Sequence, residues 1–125
     1  MNILVAVILL IHAVPHLVGF AGPWRLAQQL PYKTTILAGR VDVGDTGIKV
    51  IGLLWLAVAI VFGGAAVGAL FRAAWWPSLT LAVAGVSLVL CVLGWPDARF
   101  GLPINVGIFV LLLVGMGAGW WRSPG

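Results

Sequence analysis

Four long apolar runs, at residues 3–20, 46–70, 78–95 and 104–121, occupy most of this 125-residue chain. The hydrocarbon core of a bilayer is about 30 Å thick and needs about 20 apolar residues per spanning helix. Each run is of that order. Because lipid offers no partner to backbone N–H and C=O groups, runs of this kind must satisfy them internally as α-helices. The fold class expected is therefore all-α, an integral membrane four-helix bundle, with one transmembrane domain over residues 1–125. A composition of 62% hydrophobic and 8% charged residues excludes a soluble domain of this length. Only the interfacial loop at 21–45 is long enough to carry structure of its own. No room remains for a soluble catalytic domain.

The first run could be taken for a secretory signal, since small residues follow it at Ala21 and Gly22. A signal peptide has a positive leading region, and Met1–Val5 carries no charge, so a first spanning helix is the better reading. The single cysteine, Cys91, cannot form an internal disulfide. The net charge of +4 comes from scattered Lys and Arg rather than a cluster, which points to lipid head groups and away from nucleic acid. Arg25, Lys33, Arg40, Lys49 and Arg99 fall on the long-loop side, against Arg72 and Arg122 on the other. The positive-inside rule then puts the long loop in the cytoplasm and both termini outside. Trp24 and Trp95 are expected to anchor one membrane face, and Trp75, Trp76, Trp120 and Trp121 the other.

His12 and His16 lie one turn apart within the first run, where an ionisable group is costly and usually functional. Positions i and i+4 share a helix face, so both imidazoles can address one cavity. Pro15, between them, removes an amide and should kink the helix near Ile11–Pro15, freeing the carbonyl of Ile11 for a histidine N–H, a water or a ligand. Counted inward from Phe20 and Trp95, His16 and Cys91 share a depth, with His12 and Ser87 one turn deeper and Asn105 near the same face. His12, His16, Ser87, Cys91 and Asn105 are therefore the candidate ligand- or proton-binding residues. The plain alternative is that the histidines only hydrogen-bond neighbouring helices.

Metal is not expected. Two imidazoles leave a zinc site open, and the chain has no Glu to complete a metalloprotease helix. A haem would find only one axial histidine on one helix face. No other cofactor is indicated. At the membrane surface, Arg40, Asp42, Asp45 and Lys49 form an interfacial charge cluster that could pair internally or hold a cation. Asp45 and Thr46 are expected to cap the second helix. Trp95–Gly101 reads as a tight turn. Residues 23–30 are expected to form a short interfacial helix, with Trp24 and Leu26 towards lipid. Gly64 with Gly68, and Gly115 with Gly119, offer small faces for joining helices or subunits.

The stretches Ile11–Phe20, Gly39–Lys49 and Trp95–Gly101 resemble a group of uncharacterised small bacterial integral membrane proteins. In size and four-helix plan the chain is also loosely similar to DoxX-like proteins, some of which are associated with quinone-linked oxidoreductases. The resemblance implies a bacterial inner membrane and no catalytic residue.

Three functions remain open from sequence. The first is a small membrane protein with a His-lined polar cavity for a small ligand or a proton. The second is a noncatalytic accessory subunit, packed into a larger membrane complex or a homo-oligomer. The third is a membrane oxidoreductase or isomerase that uses a histidine near neutral pH. A four-helix multidrug exporter is disfavoured because the first run has no carboxylate.

Overall fold

Helix limits in the computed structural model, which describes residues 2–121, follow from the distribution of Pro, Gly and apolar residues. The four helices among the described residues are α1 (Asn2–Ala21), α2 (Gly44–Leu70), α3 (Trp76–Leu93) and α4 (Gly101–Ala118). All are long and apolar enough to cross a membrane. Pro77 falls in the first turn of α3, where its missing N–H costs nothing. The last turn of α4 closes on Gly119 at φ +75°, with the Trp120 amide bonding back to the Gly115 carbonyl. Glycine adopts that left-handed backbone without a Cβ clash.

The chain packs in order, α1 on α2, α2 on α3 and α3 on α4, while α1 meets α4 chiefly through side chains. Phe62, Ala65, Ala66, Ala69, Trp76 and Ala84 are fully buried where these helices meet. The alanines let the backbones approach, and dispersion between close-packed helices supplies the cohesion that water cannot in lipid. The outward faces remain apolar, with Ile3, Ile11, Ile60 and Leu113 exposed.

Several local expectations are corrected. The glycine pairs do not join α2 to α4. A Cβ on Gly68 would stand 2.7 Å from the Trp75 ring, and one on Gly115 would enter the Trp121 indole. These glycines seat tryptophans, Gly64 faces open space, and Gly119 is the helix cap. Trp76 and Trp121 are buried and meet edge to face at 5.2 Å, so only Trp75 and Trp120 of that group are exposed. Residues 23–30 form turns and no helix, although Leu26 is exposed and Trp24 lies across Gly52, its indole N–H donating to the Lys49 carbonyl.

The 21–45 loop instead contains a small antiparallel hairpin, β1 (Thr35–Ile36) with β2 (Val41–Asp42). Its tip carries Leu37 and Ala38 in left-handed conformations, each costing on the order of 1–3 kcal/mol. Compensation comes from the last residue of α3 and the turn after it. Leu37 N–H donates to the Leu93 carbonyl at 2.8 Å and Ala38 N–H to the Trp95 carbonyl at 2.9 Å. A helix C-terminus leaves such carbonyls without partners, and the hairpin tip supplies them. Lys33 and Asp97 tie the same two segments at 2.9 Å.

Asp45 and Thr46 do not cap α2. Val43 precedes the helix with no side-chain cap, and Asp45 instead accepts from the Tyr32 hydroxyl and faces Arg25 at 3.9 Å. The Gly44 amide donates to Asp42 Oδ1 at 2.9 Å and, with Thr34, holds the Asp42 carboxyl below its ordinary range. The charge cluster is thus repartnered. Among the described residues the ion pairs are Arg25 with Asp45 and Lys33 with Asp97, while the Lys49 ammonium lies over the Trp24 ring.

Candidate functional site: a buried polar quartet beneath a cavity

Three helices bring their polar residues together near the long-loop side. At 1.5 Å of rise per residue, His12, His16, Ser87 and Asn105 lie about 6–14 Å in from the ends of α1, α3 and α4 at that side. All four are buried. Two backbone carbonyls fix every proton in the set. Asn105 Nδ2 reaches the Gly101 carbonyl at 2.8 Å, which can only accept, so the amide nitrogen is the donor and Oδ1 faces His12. His12 Nε2–H then donates to Asn105 Oδ1 at 3.1 Å. On the other side, His16 Nδ1–H donates to the His12 carbonyl at 2.8 Å, which leaves the lone pair of a neutral imidazole on Nε2. The Ser87 hydroxyl donates to that lone pair at 2.6 Å and accepts from Asn105 Nδ2 at 2.9 Å.

The result is a directed chain, His12 to Asn105 to Ser87 to His16 and back to the α1 backbone. Each member is satisfied by the next, which is the condition for holding such groups out of water. The histidine N–H reaches His12 O and not the Ile11 carbonyl opposite Pro15, and α1 remains helical through Pro15. Cys91 Sγ lies 3.7 Å from Asn105 Nδ2, and Gly101 is the residue that leaves space for the thiol.

Aromatic rings from α2 back the imidazoles. Phe62 stands 4.9 Å from His12 and Trp55 5.1 Å from His16, centroid to centroid. These two residues are seven apart, two turns of one helix face, so their shared orientation was available in the sequence. The Trp55 ring also lies where a Cβ on Gly19 would be, which brings α2 close to α1.

Above the quartet is a cavity of about 930 Å³, walled by His12, Pro15, His16, Trp55, Cys91 and Ile104 and by the hairpin tip. Ser87 and Asn105 do not line it; they stand behind the imidazoles and orient them. Lys33 and Asp97 are the charged residues on its wall, and they pair with each other. Sequence reading brought out the histidines, Ser87, Cys91 and Asn105. It missed Trp55, Phe62 and the hairpin, the last because its docking depends on contacts remote in the chain. Among the described residues no three His, Cys, Asp or Glu side chains converge on a metal position.

Comparison with profiles of known protein families, with curated proteins and with solved structures gave no match. The functional reading therefore rests on the site itself.

Proposed function

We propose that the protein is a multi-pass protein of a bacterial inner membrane that binds a small molecule in the cavity, against His12 and His16. The observation that carries this reading is the junction of a proton-ordered polar quartet with a cavity of about 930 Å³. Ligand sites are typically cavities of about 300–1,000 Å³ with apolar walls and a few placed polar groups. A bound molecule is favoured over a transported proton because Asn105 interrupts the chain between the histidines. A carboxamide neither takes up nor releases a proton near neutral pH. The positive-inside asymmetry supports a cytoplasmic long loop.

Native mass spectrometry of protein released from its own membrane in mild detergent tests the reading. Wild type is expected to carry a small-molecule adduct that the His12→Ala/His16→Ala variant loses. The double variant leaves Asn105 Oδ1 and Ser87 Oγ without their histidine partners, so its elution and melting are compared with wild type and the adduct is read on folded protein only. Equal adducts on both proteins would contradict histidine-lined binding. Wild type free of adduct and unstable alone would put an accessory subunit ahead.

A further inference from the structure

The proposed binding reading leaves open what kind of molecule reaches the cavity and from where. Trp55 lines the α2 side, and the hairpin tip, pinned through Leu37 and Ala38 to the Leu93 and Trp95 carbonyls, lines the loop side. The remaining side lies between α1 and α4, the helices that do not pack backbone to backbone. Its rim is apolar and open. Val14 and Val18 of α1 are 59% and 49% exposed, and Phe100 and Ile104 beside and on α4 are 67% and 49% exposed. All four line the cavity. At membrane depth such a rim meets acyl chains.

The charges on the wall narrow the ligand. Lys33 and Asp97 satisfy one another, and the quartet consists of neutral groups, so a charged ligand would be desolvated without a counter-charge. An uncharged one avoids that cost. The quartet uses His12 Nε2 as a donor, so Nδ1 of the same ring carries the lone pair and can accept from a hydroxyl. We infer that, resting on the binding reading above, the cavity takes an uncharged amphipathic molecule with a hydroxyl head directly from the bilayer, through the seam between α1 and α4.

Photolabelling in proteoliposomes tests this, using hexadecanol with a mid-chain diazirine and the matching alkyl sulfate and alkyltrimethylammonium probes. The alcohol should crosslink the 14–18 and 100–104 stretches and be competed by unlabelled hexadecanol. After correction for partition into the bilayer, it should exceed both charged probes by roughly tenfold or more, given the cost of burying an unpaired charge. Ile104→Trp, which places a bulky indole on the rim without touching the core, should cut this labelling several-fold. Unchanged elution and melting would show that the variant folds. A charged probe that labels the same residues best overturns the ligand class while leaving cavity binding intact. Competed alcohol labelling that Ile104→Trp does not reduce overturns the route. If no probe gives competed labelling, the inference falls, and the native mass spectra separately decide whether the cavity binds anything.

Discussion

Asn105 is the residue on which the quartet depends, since it accepts from His12 and donates to Ser87 and to the Gly101 carbonyl. Asn105→Ala leaves the His12 N–H without its acceptor and should destabilise the fold by about 1–3 kcal/mol, more than Ser87→Ala, which removes a smaller hub. Unfolding in mixed micelles would rank the two; equal stability to wild type for Asn105→Ala would show that the quartet is not cohesive. The polar residues themselves were legible, because few polar groups occur in the runs and depth can be counted from the helix ends. Their pairing was not. Counting inward from Trp95 set His16 level with Cys91, yet α3 ends at Leu93, and His16 meets Ser87 instead. Outside the membrane, Asp42 gives a pH prediction. Its folded carboxyl is held below the ordinary value by the Gly44 amide, so its contribution is present above the unfolded carboxylate range and is lost as pH falls through the folded value. Hydrogen exchange at the Gly44 amide should accelerate in Asp42→Ala relative to wild type above that range and converge with it in acid; no difference at neutral pH would remove the Asp42 contact from the account.

Among the elements, the existence of the helices followed from hydropathy alone, because a bilayer fixes both length and polarity. What the glycines do on those helices did not follow. A small-residue spacing indicates that something approaches closely, and here the visitor is an indole from beyond the helix end. Gly115→Ala therefore forces Trp121 from its seat and should destabilise by about 1–3 kcal/mol through overpacking. Gly64→Ala meets open space and should be neutral or stabilising by up to about 1 kcal/mol from helix propensity. Thermal melting in detergent separates the two, and similar losses would mean that both glycines lie in interfaces. The hairpin was hidden for another reason. Left-handed Leu37 and Ala38 have no local sequence signal and persist because the carbonyls of Leu93, at the end of α3, and of Trp95, in the turn after it, accept from them.

For the molecule as a whole, apolar outer faces, a core rich in alanine and aromatic residues and a polar quartet beside a cavity towards the loop side describe a membrane bundle with an organised cavity. The charge asymmetry predicts that a cysteine introduced at Arg40 is shielded from an impermeant thiol reagent in intact cells, while one introduced after Arg122, beyond the described residues, reacts. The reverse pattern would invert the orientation and leave the cavity unchanged. The central claim is that the histidines serve a bound molecule as well as the fold. A structure determined from native membrane patches, without detergent extraction, tests it most directly. The account predicts continuous non-protein density in the cavity within hydrogen-bonding reach of the His12 or His16 imidazole, with the Asn105 and Ser87 contacts retained. A cavity closed by its own side chains, with the quartet intact and no density beside the imidazoles, would contradict it.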